Sequence, residues 1–228
     1  MIAKLISKIK KNDSYAIESS YSNYEWFVIL SERTTQLIRG LWGKLWLIKA
    51  KGLFFRGKGV RVKQRKLFSA GRNLILEDGV YINALSEKGI RFGDNVTIAK
   101  KSTLICTGVI AQKGTGISIG DNSAVNAYSF LGGQGGIRIG NGVIMGPHVK
   151  IFSENHVFDD ASKLIKDQGV TRKGVVIGDD CWIGAGVSIL DGVTLENRTI
   201  VAAGSVVTKS FPGNCVLGGV PAKVLKNL

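Results

Sequence analysis

One of the two histidines in this 228-residue sequence stands among residue types that suit acid–base chemistry. His156 lies in the run Phe152-Ser153-Glu154-Asn155-His156-Val157-Phe158-Asp159-Asp160. Imidazole is the side chain whose ordinary pKa is closest to neutrality, so it can take a proton from a hydroxyl and return it. A lone histidine in a loop is more often a surface residue, so its surroundings must decide.

Several groups near His156 could orient its ring. Glu154 is two residues away and shares a face with it if the segment is extended. Asp159 and Asp160 are alternatives, although aspartates in loops often only cap turns. A backbone carbonyl could serve instead. The sequence leaves the choice open.

A six-residue repeat predicts the elements that position these residues. From Ile177 onward the repeat places aliphatic residues at Ile177, Ile183, Ile189, Leu195, Val201 and Val207. Four residues after each of these stand Cys181, Val187, Val193, Thr199, Ser205 and Phe211. Pieces of the same register occur earlier, at Leu76, Ile82, Phe92, Ile98, Leu104, Ile119, Val125, Leu131, Ile139, Met145 and Ile151.

A period of six matches neither an α-helix nor an amphipathic strand. It indicates a coil with three short flat sides, whose corners hold Gly, Asn or Asp in left-handed backbone. Stacked coils pair as parallel strands and bury a continuous column of side chains. The fold class is therefore an all-β parallel β-helix, although spacing alone does not give its hand. The register breaks at residues 105–118, 132–138 and 152–176, and the longest break holds His156.

Residues 1–66 lie outside this repeat and carry most of the positive charge. They hold 15 Lys and Arg against four Asp and Glu, a balance of +11 in a chain of net charge +14. The pattern from Tyr24 to about Ile48 predicts a helix, weakened by Gly40 and Gly43. Two interpretations stay open, and both can hold: a cap on the end of the coil, or a basic helix on an anionic membrane surface.

The expected compartment is the cytoplasm, with peripheral contact at the inner face of the membrane as the other option. Lysines interrupt the first residues too often for a secretory signal, and no apolar window is long enough to span a bilayer. The cysteines Cys106, Cys181 and Cys215 lack metal-type spacing and suit a reducing compartment. Cys181 occupies an inward repeat position and is predicted to be core rather than a nucleophile.

Residues from about 74 to 228 resemble the hexapeptide-repeat acyltransferases. The resemblance rests on Trp182-Ile183-Gly184-Ala185-Gly186, on Ala203-Gly204-Ser205-Val206-Val207-Thr208-Lys209 and on Gly218-Gly219-Val220-Pro221-Ala222-Lys223-Val224. Within the family, the chain is most similar to the branch of galactoside, maltose and polysaccharide O-acetyltransferases. The resemblance implies a left-handed coil, acetyl-CoA as cosubstrate, and a homotrimer with active sites between subunits.

The resemblance also implies roles for single residues. The stretch from Ile139 to His156 matches the family's approach to its catalytic histidine, so His156 is the expected general base. Trp182 is expected to wall the acyl pocket, and the backbone N–H near Ala185 to face the oxyanion. Asn126 is expected either to contact the acceptor sugar or only to form a turn. The remaining assignments are His148 as a structural or acceptor-rimming residue, and Gly184, Ala185, Ala203, Thr208, Lys209 and Lys223 at the CoA site.

These observations predict three regions: a basic helical cap (1–66), a β-helix acetyltransferase domain (67–212) and a tail that contributes to the CoA site (213–228). The expected function is O-acetylation of a sugar hydroxyl in polysaccharide biosynthesis, because the N-terminal segment departs from the shorter starts of the galactoside and maltose enzymes. N-acetylation of a nucleotide-linked amino sugar and O-acetylation of serine remain alternatives. A zinc site like that of γ-class carbonic anhydrases needs three histidines, so no metal is expected. The basic segment lacks a recognised nucleic-acid module, so no nucleic-acid partner is expected.

Overall fold

Two α-helices precede a long coil of short β-strands. The computed structural model describes residues 2–10, 16–17, 20–44 and 50–228. Helix α1 is Ile2–Lys10 and helix α2 is Asn23–Lys44, while short 3-10 helices cover Arg65–Leu67 and Ile165–Asp167. The helix predicted from Tyr24 is confirmed, and its predicted end near Ile48 falls outside the described residues. Within the described ranges, no helix has both the length and the apolar character that a bilayer crossing requires.

The strands form three large sheets and one hairpin. The nine-stranded sheet contains β1 (Phe54–Arg56), β4 (Leu74–Leu76), β7 (Thr97–Ile98), β10 (Ala124–Val125), β13 (Ile144–Met145), β18 (Trp182–Ile183), β21 (Thr199–Val201), β23 (Cys215–Gly219) and β24 (Ala222–Asn227). The seven-stranded sheet contains β2 (Arg61–Lys63), β5 (Tyr81–Asn83), β8 (Thr103–Ile105), β11 (Phe130–Gly132), β14 (Lys150–Phe152), β19 (Ser188–Ile189) and β22 (Val206–Val207). The six-stranded sheet contains β3 (Phe68–Ala70), β6 (Ile90–Phe92), β9 (Ile117–Ile119), β12 (Ile137–Ile139), β17 (Val175–Ile177) and β20 (Thr194–Leu195). The hairpin consists of β15 (Asn155–His156) and β16 (Val170–Thr171).

The chain visits the three sheets in rotation. Strands β1, β2 and β3 lie in three different sheets, and β4 returns to pair with β1 in parallel, with Phe54 opposite Leu74. Among the described strands of the large sheets, only the pair β23–β24 is antiparallel. The predicted all-β architecture of stacked parallel coils is thereby confirmed.

The six-spaced side chains fill the inside of the coil. One column in register across the nine-stranded sheet contains Leu76, Ile98, Val125, Met145, Ile183, Val201 and Leu217, each at most 1% exposed. Burial of a side chain of this size contributes about 1.5–3 kcal/mol to stability. The aliphatic residues that the repeat predicted to point inward are all buried.

The first strand of the coil begins at Phe54, and Ala50 before it already forms a parallel bridge with Ala70, which corrects the predicted start at residue 67. Strand β1 pairs with β4 and β2 pairs with β5, so residues 54–66 already belong to the first coil. Arg56 stands where the next coil has Leu76. Its guanidinium donates a hydrogen bond to the carbonyl oxygen of Val60 at 2.8 Å. An arginine at a position that is otherwise aliphatic conceals the repeat in the sequence.

Helix α2 lies against β1 through its two buried residues, Gln36 and Gly40. A Cβ atom at Gly40 would lie only 1.6 Å from the carbonyl oxygen of Phe54, so glycine alone permits this approach. The helix starts with a capping box, in which the Ser22 N–H donates to Glu25 Oε2 (2.8 Å) and the Glu25 N–H donates to Ser22 Oγ (3.2 Å). The helix is therefore fixed at its start and along one face.

Replacing Gly40 with alanine is expected to lower the free energy of unfolding by about 1–3 kcal/mol, because the added methyl forces α2 away from β1. Gly43→Ala is the matched control. A Cβ there would meet only side-chain atoms of Arg56 and Phe54, at 3.3 Å. Alanine also favours the helix, by up to about 1 kcal/mol. Urea unfolding followed by tryptophan fluorescence measures both variants. Equal losses of unfolding free energy in the two variants would contradict the close packing of Gly40 against β1.

Candidate active site

Five of the predicted site residues meet at one edge of the coil, where the chain turns from the nine-stranded into the seven-stranded sheet. We call the turns at residues 126–129, 146–149, 184–187 and 202–205 the site corner. It contains Asn126, His148, Gly184, Ala185 and Ala203. Backbone hydrogen bonds stack the turns: the N–H groups of residues 148, 186 and 204 donate to the carbonyls of residues 127, 147 and 185.

The turns of the site corner stack closely because glycine stands at two of its positions. A Cβ atom at Gly146 would lie 2.6 Å from the Ala185 nitrogen, and one at Gly184 would lie 2.5 Å from the Ala203 nitrogen. Either contact would force the coils apart, so these glycines bring one backbone against the next. Trp182 precedes this turn on β18, with 55% of its side chain exposed on the outer face.

The backbone N–H of Ala185 is an unused hydrogen-bond donor. In the described part of the chain it has no hydrogen-bond acceptor, and neither has the N–H of Ala203. At the equivalent places of earlier coils, Ala127 N–H donates to Asn126 Oδ1 at 2.7 Å, and Pro147 has no N–H. Ala185 is exposed, so the site corner presents a fixed donor to any bound molecule.

One end of the Asn126 side-chain amide stabilises the turn, and the other end faces solvent. Its side-chain carbonyl accepts the Ala127 N–H, as expected for a turn asparagine. The side chain is exposed, and its NH₂ group makes no hydrogen bond within the described residues. An amide held in this way can still donate to a bound hydroxyl.

A stacked column of three side chains lies on the turns next to Asn126, and the sequence did not predict it. His148 and Tyr128 stack with ring centroids 5.2 Å apart and an angle of 8° between the planes. The ammonium of Lys101 lies 5.6 Å from the centroid of the Tyr128 ring. All three residues have positive φ, at a place where the following coils have Gly186 and Gly204. Because bulky residues rarely adopt positive φ, a tyrosine at a turn position that holds glycine in later coils is the sequence feature that indicates this column.

His156 lies on the hairpin that leaves the coil, outside the site corner. Strand β15 pairs with β16 so that His156 is opposite Val170, and the histidine side chain is exposed. The hairpin follows strand β14, whereas His148 precedes that strand. Among the described residues, no group hydrogen-bonds to the His156 ring. The predicted base and the predicted oxyanion donor therefore occupy different elements of the chain.

The base of the hairpin is held by a partly buried ion pair. Arg172 Nε donates to Glu154 Oε2 at 2.6 Å, and Ser153 Oγ donates to the carbonyl oxygen of Gly132 at 2.6 Å. Glu154 thus binds Arg172 and not His156. Asp160 binds Lys163, and this contact lowers the pKa of its carboxyl. None of the three carboxylates considered from the sequence contacts the imidazole in the described chain.

The other residues predicted for the CoA site lie farther along the coil. Thr208 and Lys209 follow β22 and are exposed, and the Lys209 ammonium lies 5.6 Å from the centroid of the Phe211 ring. Lys223 is exposed on β24, opposite Gly218. The hairpin of His156 and the segment with Thr208 and Lys209 leave the seven-stranded sheet at the same edge, because β14, β19 and β22 pair in register. In the described chain, no ion pair or hydrogen bond joins His156 to Lys209 or Lys223.

The cysteines are poor nucleophiles in this structure. Cys106, Cys181 and Cys215 are buried and free. Burial raises the pKa of Cys106 to about 12 and also raises the pKa values of Cys181 and Cys215. Because the thiolate is the reactive form, these thiols are inert. The prediction that Cys181 belongs to the core is confirmed.

The repeat, the three parallel sheets and the closely stacked corner define the class of hexapeptide-repeat proteins. The family model for bacterial transferase hexapeptide (six repeats) matches residues 174–209. A relative in Escherichia coli (strain K12), "Putative lipopolysaccharide biosynthesis O-acetyl transferase WbbJ", is 31% identical over 148 residues, which are 62% of this chain and 73% of that protein. The chain belongs to the hexapeptide-repeat acetyltransferase family.

Two further comparisons agree with this membership. The galactoside O-acetyltransferase of Escherichia coli (strain K12) is 32% identical over 115 residues, which are 50% of this chain and 56% of the relative. A hexapeptide-repeat acetyltransferase from Vibrio cholerae O1 biovar eltor, solved with acetyl coenzyme A, is 31% identical with a TM-score of 0.52, over 58% of this chain and 68% of that one. The chain spans between 44% and 58% of the length of the first curated relatives that it matches.

Proposed function

We propose that this protein is an acetyl-CoA-dependent O-acetyltransferase that acetylates a sugar hydroxyl by direct transfer. The unpaired N–H of Ala185 carries the proposal. Acyl transfer passes through a tetrahedral oxyanion, and a fixed backbone donor in an exposed, closely packed corner is suited to stabilise it. The donor stands within Trp182-Ile183-Gly184-Ala185-Gly186, the stretch that resembles the thioester site of the family.

In the proposed mechanism, His156 is the only proton carrier. It takes the proton of the acceptor hydroxyl while the oxygen attacks the thioester carbonyl carbon. The Ala185 N–H donates to the oxyanion that forms. The intermediate then collapses, the carbon–sulfur bond breaks, and the imidazolium returns its proton to the leaving thiolate. The products are an acetyl ester and free CoA, and no covalent enzyme intermediate forms.

A homotrimer with a left-handed coil is the proposed assembly, with active sites between neighbouring subunits. The position of His156 on the hairpin, outside the site corner that holds the Ala185 donor, supports a shared site. In this arrangement, Gly184, Ala185 and Ala203 flank the pantetheine arm, and Trp182 walls the acyl pocket. Lys223 approaches the nucleotide phosphates, and no metal takes part. The proposed compartment is the cytoplasm.

The proposed acceptor is a saccharide of cell-surface polysaccharide biosynthesis. The names of the relatives in Escherichia coli, for galactoside and lipopolysaccharide O-acetylation, support a sugar. The NH₂ group of Asn126 is suited to contact a sugar hydroxyl. Lys101 and His148 cover the two faces of the Tyr128 ring, so its exposed edge is the part suited to contact the apolar side of a pyranose. His148 supports the Tyr128 ring from below.

A panel of acceptors tests the proposal directly. CoA release from acetyl-CoA is measured with oligosaccharides, nucleotide-linked amino sugars and serine, and the products are identified by mass. Acetyl esters on a saccharide are the expected result. Amides on an amino sugar, or turnover of serine alone, would reject the proposed acceptor and keep the transfer chemistry. No CoA release with any acceptor would reject both.

Replacing Tyr128 with alanine is expected to raise the KM for the saccharide by about tenfold and to leave the KM for acetyl-CoA unchanged, because an aromatic ring contact contributes about 0.5–1.5 kcal/mol. Tyr128→Phe keeps the ring and is the control. Steady-state CoA release measures both variants. If Tyr128→Ala changes the KM for acetyl-CoA instead, the column belongs to the donor side of the site.

A further inference from the structure

The outward face of helix α2 carries no charge. Gln36 and Gly40 define the face that lies against the coil. At 100° per residue, the opposite face contains Tyr24, Phe27, Ser31, Thr34, Thr35, Ile38, Leu41 and Trp42, all of them exposed. Phe27 and Trp42 are each 69% exposed. The charged residues of α2 lie nearer to the packed face or at its sides.

No described residue covers this face. Ser31, Thr34 and Thr35 in its middle donate their hydroxyls to carbonyl oxygens of the helix itself, and the other five side chains are large and mainly apolar. A group of exposed large apolar side chains commonly marks a surface that binds a partner. Its two ends carry Tyr24 and Trp42, aromatic side chains with a polar group on an apolar ring. Such side chains are favoured where an apolar phase meets water.

The coil beneath α2 is strongly cationic. Between residues 50 and 66 there are seven Lys and Arg and no carboxylate: Lys51, Arg56, Lys58, Arg61, Lys63, Arg65 and Lys66. Within the part of the chain that the structure describes, none of the seven forms an ion pair with a carboxylate. The end of the molecule that carries the apolar face therefore also carries seven cationic side chains without an ion-pair partner among the described carboxylates.

We propose that this face of α2 docks on the surface of an anionic lipid bilayer. Apolar side chains enter the boundary between headgroups and acyl chains, while the neighbouring cations meet the acidic headgroups. Pairing with a second copy through the same face would bring two cationic first coils together, which like charges oppose. The surface is separate from the site corner and from the hairpin of His156, so docking and acetyl transfer are independent properties.

Vesicle sedimentation with the full chain tests the proposal. The vesicles contain phosphatidylcholine alone or phosphatidylcholine mixed with phosphatidylglycerol. Binding to the mixed vesicles is expected, with loss of binding as salt screens the charges. The triple variant Phe27→Gln, Ile38→Gln, Trp42→Gln is expected to bind at least about tenfold more weakly. Because the replaced side chains are exposed and glutamine is a good helix former, α2 stays folded.

Matched controls separate this proposal from the alternatives. The double variant Val109→Gln, Ile110→Gln removes two exposed apolar side chains from a loop of the coil and is expected to bind like the wild type. CoA release with a water-soluble acceptor is expected to be the same in all variants. Equal binding to both vesicle types would overturn the proposal, as would a change in subunit number of the triple variant in sedimentation velocity. Salt-dependent binding to nucleic acid, without binding to vesicles, would also overturn it.

Discussion

Replacing His156 with alanine is expected to lower kcat for acetyl transfer by about 10²-fold or more, because the acceptor hydroxyl then loses its base. The variant should fold normally, since the His156 side chain is exposed and its ring makes no hydrogen bond within the described residues. The KM for acetyl-CoA should change little. Steady-state CoA release at saturating acetyl-CoA measures the effect.

The second histidine provides the control for this experiment. His148→Ala removes an imidazole of the same chemistry, but one that stacks on Tyr128 and stands at the other end of β14. It is expected to raise the KM for the acceptor and to leave kcat within about threefold, because a stacking contact acts on binding alone. If His156→Ala has an unchanged rate, or if His148→Ala has the larger loss in kcat, the assignment of the base is wrong.

Replacing Ala185 with proline is expected to lower kcat by about 10²–10³-fold, because it removes the N–H proposed to bind the oxyanion. An earlier turn of the same corner already contains a proline at the equivalent position. Gly146-Pro147 occupies the same turn one coil earlier, so a proline directly after Gly184 repeats a dipeptide that this corner already accommodates. The Ala185 N–H has no intramolecular acceptor, so its removal breaks no hydrogen bond within the described chain.

Ala185→Ser is the control for the proline variant, because it keeps the N–H and adds only a small exposed hydroxyl. It should retain kcat within about threefold, and thermal unfolding should be similar in the two variants. A proline variant that is folded and fully active would show that the oxyanion is bound elsewhere. A loss that appears only in the KM for acetyl-CoA would point to the pantetheine arm instead.

The fold was predictable where its physics is local and repeated. A buried aliphatic residue at every sixth position, from Ile177 to Val207, is required by the three-sided coil, so the pattern predicted the sheets and the inward column. The first coil was not predictable in this way. At this end of the stack helix α2, and not another described coil, lies against β1, so Arg56 can replace an aliphatic residue and the period disappears.

The positions of the proposed site residues along the coil were predictable from the sequence, and their contacts were less so. The turns that hold Asn126 and Gly184-Ala185 followed from the repeat together with the resemblance to the family motif. The engagement of Glu154 by Arg172 joins residues on opposite sides of the hairpin, and sequence spacing does not report such contacts. The free N–H at Ala185 depends on hydrogen bonds that neighbouring coils make or lack, which residue types alone do not reveal.

The register of the stacked columns determines where the chain can tolerate a change in length. Loss of one residue between Ile177 and Val207 would turn the later aliphatic side chains of the repeat outward and bring polar ones inside. The segment has no irregular loop that could restore the inward register. The segment between residues 157 and 169 can change in length without shifting the register of the coil, because the paired strands β15 and β16 close its two ends. Variation in size can therefore accumulate beside His156 while the scaffold keeps its phase.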